Sequence, residues 1–308
     1  MKTLSLITRA CALALFMVTT AAQAAGGCAS KGPVVLQVLG SGGPIADDGR
    51  ASTGYLVWVD GKSRALIDTG GGTFLRFGEA GARFEDLDFI GLSHLHTDHS
   101  ADFPALIKSG NFSPRKRALP VAGPGGDGPF PGLKSYLDSM VGKGGAYAYL
   151  GDVLQGTSGK PMLVPTEIEK GEPAVAYVGD RLRVEALRVP HAIVPTVAFR
   201  VSAGDVSLVF SSDQNGSDPA FIEFAKGASL LVMHMVVPEG VTGVGRKLHA
   251  PPSVIGDIAA EARPGKLVLS HFMARSLAAL DDNVAVVEER YDGDVTLAED
   301  LACMVVPR

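Results

Sequence analysis

The sequence predicts an α/β fold of two similar halves, in which two β-sheets pack face to face and helices cover the outside. Short apolar strand patterns and helical patterns alternate through both halves of the chain. In addition, histidines and aspartates recur just after strand patterns, and open α/β folds gather their sites at strand ends. These two observations predict a functional site along one edge of the sheets.

The first 24 residues are predicted to be a secretory signal peptide. Lys2 and Arg9 precede an apolar core that runs from Ala10 to Val18, and Ala22-Gln23-Ala24 supplies small residues for cleavage. Its removal would leave residues 25–308 as one domain, periplasmic or secreted. No later stretch is long and apolar enough to predict a transmembrane segment.

The chain has a formal net charge of −5, and loss of Lys2 and Arg9 with the leader would make it more acidic. An acidic surface repels polyanions, so we expect no nucleic acid as a partner. A homodimer remains open.

Two cysteines, Cys28 and Cys303, remain near the two ends of the mature chain. In an oxidising compartment this arrangement favours a disulfide. Lipidation of Cys28 is the alternative, because Ala25-Gly26-Gly27-Cys28 partly resembles a bacterial lipobox.

The first half begins with strand patterns that are closed by glycine turns. A strand over 34–40 is followed by a hairpin over 55–59 and 64–68. Asp68 ends that hairpin beside Gly70-Gly71-Gly72. We predict that Asp68 orients metal-binding histidines, with a turn aspartate that caps backbone amides as the alternative.

The densest group of polar residues follows the apolar run 89–92. His94 and His96 alternate along an extended loop, so they can grip one metal ion. Asp98 and His99 follow where a helical pattern begins, and they can face a second ion. Imidazole and carboxylate are the ligands that suit zinc and its neighbours, which predicts a metal site.

A strand over 119–124 leads into a Gly- and Pro-rich segment, residues 124–172, with one helical pattern over 133–141. Tyr147, Tyr149 and Leu150 lie in this segment and would line a pocket or form a lid. A surface crossover between the two halves is the alternative.

In the second half, strand patterns alternate with helical ones near 219–225 and 252–262; the strands are predicted over 174–178, 182–189, 197–201, 206–211, 230–233 and 266–270. Polar residues that could reach one sheet edge follow several of these strands: His191, Asp213, His234 and His271. His249 precedes the helix that starts near Pro251.

The order His94-x-His96-x-Asp98-His99, His191, Asp213, His271 resembles the metallo-β-lactamase superfamily, over nearly all of residues 33–308. The resemblance implies an αββα sandwich with two Zn²⁺ ions, or Fe or Mn, at the sheet edge. It implies that His94, His96 and His191 hold one ion, that Asp98, His99 and His271 hold the other, and that Asp213 bridges them. Asp68 matches the superfamily's strand-end aspartate.

Within the superfamily the pattern is similar to tRNase Z and its arylsulfatase and phosphodiesterase relatives. His249 matches the proton-donating histidine of that branch, so His249 and Asp98 are the candidate catalytic residues. Two departures stand out. First, the segment between His191 and Asp213 is short and lacks the RNA-binding arm of that branch. Second, Met235 stands where the branch has an acidic residue after His234. The role of His234 is therefore either core packing or a position beside the site.

These observations predict an exported hydrolase with two zinc ions, which cleaves a small phosphodiester or sulfate ester. A hydroxide held between the metals is expected to attack the ester. His249 is expected to act as the general acid. A lactonase or β-lactamase of the same fold is the alternative. A further alternative is a metal-binding protein without enzymatic activity.

Overall fold

The computed structural model describes residues 27–308, which form two mixed β-sheets with helices on their outer faces. The αββα sandwich expected from the sequence is confirmed. The predicted signal peptide lies outside the described residues. Within the described part, no helix combines the length and apolarity needed to cross a membrane.

The first sheet contains seven strands, six of them from the first half of the chain. Their order across the sheet is β14-β1-β2-β3-β4-β5-β6, and the strands are β1 (Val34–Gly40), β2 (Gly54–Val59), β3 (Lys62–Ile67), β4 (Phe89–Gly91), β5 (Leu119–Pro124), β6 (Leu163–Ile168) and β14 (Cys303–Val305). Strand β2 is antiparallel to β3, whereas strands β3 to β6 run parallel to one another. Their carboxyl ends therefore meet at one edge.

The second sheet also contains seven strands, in the order β13-β12-β11-β10-β9-β8-β7. They are β7 (Ala174–Val178), β8 (Arg183–His191), β9 (Val194–Ala203), β10 (Val206–Phe210), β11 (Leu230–His234), β12 (Leu267–Ser270) and β13 (Val295–Leu297). Strands β10 to β13 are parallel, whereas β7 to β10 form antiparallel pairs.

Ten α-helices lie in the described residues: α1 (Thr73–Glu79), α2 (Thr97–Ser100), α3 (Phe103–Gly110), α4 (Leu133–Val141), α5 (Asp152–Gln155), α6 (Ala220–Ala225), α7 (Gly243–Leu248), α8 (Pro252–Ala262), α9 (Ala274–Leu277) and α10 (Leu280–Glu288). Three short 3₁₀ helices cover Cys28–Ser30, Phe84–Asp86 and Ala148–Leu150.

Alternation along β1 shows how the layers are built. Leu36 and Val38 belong to the core between the sheets, whereas Val35 and Leu39 belong to the core under the helices of the first sheet. Successive side chains of a strand point to opposite faces, so a strand apolar throughout is buried on both. Phe89 and Phe199 join the two sheets, with ring centroids 5.9 Å apart.

The segment 124–172 is more regular than its sequence suggests. It contains helix α4 over the predicted residues, and it returns to the first sheet through β6, which no prediction included. Tyr147 and Tyr149 are exposed, and Leu150 is buried in the core under the helices. None of the three lines a cavity beside the histidines.

The structure joins Cys28 and Cys303 in a disulfide, with Cα atoms 5.5 Å apart. Cys303 starts β14, which pairs with β1 through Gln37. The bond therefore fastens the returning C-terminal strand to the start of the domain, and the predicted pairing is confirmed over lipidation of the same sulfur.

Replacing Cys303 with serine is expected to lower the free energy of unfolding by about 2–4 kcal/mol, because the bond closes a long loop in the unfolded chain. Urea denaturation of the oxidised protein and of Cys303→Ser measures the difference. Adding reductant should bring the wild-type protein to the stability of the variant, and an unchanged midpoint would contradict a structural role for the bond.

Candidate metal centre

The predicted site residues meet at one edge of the sandwich, where the strands end. Asp68 follows β3 and His94 lies just beyond β4, while Asp213 and His271 follow β10 and β12; His191 and His234 are the last residues of β8 and β11. Asp68 and His271 have φ values of 61° and 57°, a left-handed conformation that L-residues seldom adopt. The chain turns sharply at both positions, which is typical of functional sites.

A first group consists of His94, His96 and His191, whose ligand atoms lie within 4.8 Å of one another. The Nδ1–H of His191 donates to the Leu248 carbonyl at 2.8 Å, so its Nε2 presents a lone pair to the group. The Nε2 atoms of His94 and His191 are buried without a hydrogen-bond partner in the described chain. Buried polar atoms without partners are costly, and a cation would satisfy both.

A second group consists of Asp98, His99 and His271. The Nδ1–H of His99 donates to Asp68 Oδ2 at 2.8 Å, which leaves a lone pair on Nε2. This Nε2 lies 3.1 Å from Nε2 of His271. Burial opposes protonation of His99, but the nearby carboxylates of Asp68 and Asp98 outweigh it and raise its pKa to about 9. A bound cation would take the place of that proton.

Asp213 lies between the two groups. Its Oδ2 is 3.7 Å from Nε2 of His191 and 3.8 Å from Nε2 of His99, and its Oδ1 is 3.3 Å from Nε2 of His271. Burial alone would raise the pKa of this carboxyl, but the surrounding histidines, His271 first, hold it well below its usual range. One carboxylate therefore faces both sets of nitrogens, and the donor set fits two metal ions.

Asp68 and His234 form hydrogen bonds with two of these residues, His99 and Asp213 respectively. Asp68 accepts hydrogen bonds from the Ser93 amide at 2.6 Å and from the Ser93 hydroxyl at 2.7 Å, as well as the one from His99. It thus both caps a turn and orients a histidine. The Nδ1–H of His234 donates to Asp213 Oδ1 at 2.8 Å, and its Nε2 lies 3.0 Å from the Tyr55 hydroxyl.

His249 ends helix α7 and faces the same carboxylate, with Nδ1 3.8 Å from Asp213 Oδ2. Burial lowers the pKa of His249 to about 4, against the opposite pull of Asp213. His249 also lies within reach of a third set of ligand atoms, with His191 and Asp213. Geometry alone is thus compatible with a proton donor and with a ligand.

The two groups open into a cavity of about 530 Å³, which we call the substrate cavity. Its lining includes Asp98, Asp213 and His249, and also Arg275, which the sequence analysis missed. The Nε of Arg275 donates to the Val236 carbonyl at 3.1 Å. The signal was the position of Arg275, four residues after His271 at the end of a strand.

Two curated proteins similar to this chain are both named Ribonuclease Z. The one from Mycolicibacterium gilvum is 25% identical over 284 residues, covering 87% of this chain and 94% of the relative. The one from Mycobacterium marinum is 29% identical over 284 residues, covering 87% and 97%.

These relatives overturn the expectation that the chain has no nucleic-acid partner, because a ribonuclease acts on RNA. The physical error lies in the use of net charge. A formal charge of −5 describes the whole chain, whereas a polyanion responds to the local field at the site, where metal ions, once bound, would be the largest charges.

The fold is also that of a solved structure, the metallo-beta-lactamase fold protein YhfI from Bacillus subtilis. The TM-score is 0.69 at 22% identity, with 89% of this chain and all of that chain covered. The family model described as Beta-lactamase superfamily domain matches residues 63–272, which contain every proposed metal ligand. The chain therefore belongs to the beta-lactamase superfamily, and it is a hydrolase of the metallo-β-lactamase fold.

Proposed function

We propose that the chain is a phosphodiesterase that uses two zinc ions. The observation that carries the proposal is Asp213, one buried carboxylate that faces two groups of nitrogen and oxygen donors. His94, His96 and His191 would hold one ion, and Asp98, His99 and His271 the other. Two such ions would lower the pKa of a bound water toward neutrality. They would also stabilise the negative charge on the attacking and the leaving oxygen.

The surrounding residues fix these ligands in place. Asp68 and the Leu248 carbonyl each accept a hydrogen bond from the outer nitrogen of a histidine, so the inner nitrogens of His99 and His191 stay free to bind. His234 holds one oxygen of Asp213. The site is therefore preorganised by hydrogen bonds of the chain itself.

Arg275 favours an anionic ester over a neutral lactone or β-lactam. It is the only arginine or lysine that lines the substrate cavity in the described chain. Its Nε is held by Val236, and its two Nη groups have no hydrogen-bond or ion-pair partner within residues 27–308. A guanidinium held in this way presents two donors to a phosphate, in the geometry that arginine uses for bidentate recognition.

Arg275→Ala is expected to raise KM for bis(p-nitrophenyl) phosphate by about 10-fold, because a charge-assisted hydrogen bond is removed. Any hydrolysis of a neutral lactone should stay within about 2-fold, since surface changes away from a bound charge have small effects. Steady-state kinetics on both substrates measures the contrast. Equal losses on the charged and the neutral substrate would contradict a role in recognising the anion.

His249 is proposed as the group that protonates the departing oxygen. It lines the substrate cavity, is nearly buried, and has an Nδ1 without a hydrogen-bond partner in the part of the chain described. At neutral pH its lowered pKa keeps the imidazole uncharged in the free protein. The negative charge of a bound phosphate acts in the opposite direction and would favour the protonated form.

Export to an oxidising compartment is part of the proposal. The disulfide between Cys28 and Cys303 supports it, because such bonds persist outside the cytosol. The pattern of residues 1–24 supports it independently. N-terminal sequencing of protein from a periplasmic fraction tests it: a start near residue 25 is expected, and an intact Met1 terminus in the cytosol would contradict export.

A substrate panel tests the proposed chemistry. Purified protein reconstituted with zinc is assayed on bis(p-nitrophenyl) phosphate, a precursor tRNA, p-nitrophenyl sulfate, a homoserine lactone and nitrocefin. We expect kcat/KM to be highest for one of the two phosphodiesters, with RNA included because of the ribonuclease relatives. A highest value for the sulfate, the lactone or nitrocefin would refute the proposal.

A further inference from the structure

A second cavity adjoins the substrate cavity and has a different chemistry. It has a volume of about 180 Å³ and is lined by Leu95, His96, Phe130, Pro131, Tyr136, Val194 and Pro195. We call it the ring cavity. Leu95 and His96 line both cavities, so the ring cavity lies next to the proposed metal centre.

Two aromatic side chains, Phe130 and Tyr136, are part of the lining of the ring cavity. The Tyr136 hydroxyl donates to the Ser100 carbonyl at 3.0 Å, just after the metal-binding loop. Phe130 lies in a turn closed by two backbone hydrogen bonds with Asp127, of 3.1 and 3.0 Å. Aromatic side chains in the lining favour a planar, apolar guest, because rings stack or meet edge to face.

The size of the ring cavity selects the guest further. An apolar cavity of about 150 Å³ holds one benzene ring, and the ring cavity is about 180 Å³. It is therefore large enough for one six-membered ring and too small for a fused purine together with its sugar.

We infer that the ring cavity binds a single planar six-membered ring carried by the substrate, on the ester group that stays attached to phosphorus. This inference rests on the proposed phosphodiesterase function. His249, the proposed donor to the departing oxygen, lines the substrate cavity but not the ring cavity, whereas His96 lines both. The departing group thus lies toward His249 and the retained group toward His96. An aryl ester and a pyrimidine nucleotide both carry such a ring.

Binding of small phosphonates tests the inference without catalysis. Calorimetry on the zinc-loaded protein compares phenylphosphonate with methylphosphonate, which have the same charged group. We expect phenylphosphonate to bind about 10-fold tighter, the size of one stacking contact. Phe130→Ala should remove most of this preference and leave methylphosphonate binding unchanged. Phe112→Ala, at a phenylalanine that is 79% exposed and outside both cavities, is the matched control.

A second variant guards against a folding defect. Val194→Phe adds a larger side chain at another residue of the lining, narrows the ring cavity and should also abolish the preference for phenylphosphonate. Equal binding of the two phosphonates by the wild-type protein, or a preference that survives both variants, would overturn the inference. Binding of uridine monophosphate and of guanosine monophosphate then shows whether the ring belongs to a nucleotide or to an aryl ester. Tighter binding of uridine monophosphate identifies a pyrimidine nucleotide, and equal binding of the two identifies an aryl ester.

Kinetics distinguish this inference from the proposed function. Bis(p-nitrophenyl) phosphate and methyl p-nitrophenyl phosphate share a departing group and differ in the retained one. We expect Phe130→Ala to reduce kcat/KM about 10-fold for the first substrate only. Ring-dependent binding without hydrolysis of either diester would refute the phosphodiesterase and keep the ring cavity. If the wild-type protein and Phe130→Ala hydrolyse each of the two diesters at the same rate, the phosphodiesterase function would be supported and the ring cavity would be refuted.

Discussion

Asp213→Asn is expected to reduce kcat/KM for a phosphodiester by about 10³-fold, the upper end of the loss seen when one preorganised stabilising group is removed. Asparagine keeps the size of the side chain but removes the charge that faces His99, His191 and His271. Both groups of donors should then bind metal more weakly. Elemental analysis beside the kinetics should show clearly less than two equivalents.

Asp205→Asn is the matched control for this variant. Asp205 is exposed in the turn between β9 and β10, just before the strand that leads to Asp213, and has no ion pair within the described chain. It should keep full activity and metal content. An Asp213→Asn protein with wild-type metal content and activity would contradict the placement of this carboxylate between two ions.

His249→Ala is expected to show the second-largest effect, and only on substrates with a poor leaving group. A general acid contributes about 10²–10⁴-fold when the departing oxygen needs a proton. A nitrophenolate leaves without one, so p-nitrophenyl diesters should be cleaved at nearly the wild-type rate. A dialkyl diester or RNA should lose most of its rate.

Metal content separates the two roles that the geometry allows for His249. If His249→Ala keeps its metal content and loses activity only on substrates with poor leaving groups, His249 is the general acid. Loss of metal would instead make His249 a ligand in the group with His191 and Asp213. Equal losses on both kinds of substrate with full metal content would contradict both roles.

The sequence predicted most strands because their apolar patterns are long or alternate clearly. Strand β1 and helices α4 and α8 have the predicted bounds. Strands β6, β13 and β14 were missed. They lie at the edges of the sheets, where fewer side chains are buried and the apolar pattern is correspondingly weak.

Most of the proposed site residues could be named from the sequence because they end a strand or lie just after one, whereas His249 lies between helices α7 and α8 and could be named only from the family resemblance. The residues that shape substrate binding could not. Arg275, Phe130 and Tyr136 come from three separate loops and helices, and only the fold brings them beside His96 and His249. Tyr147 and Tyr149 attracted attention as aromatic residues in a loop, yet they lie on the surface. Composition indicates which side chains could bind a ring, but tertiary packing decides which ones do.

The central claim is a metal pair that shares one carboxylate, and a zinc titration tests it most directly. Metal-free protein is titrated with zinc while hydrolysis of bis(p-nitrophenyl) phosphate is followed. The activity is predicted to rise until two equivalents per chain are bound and then to level off, with little activity at sub-stoichiometric zinc if the two ions act together. Full activity at one equivalent, with no further gain at two, would contradict the claim.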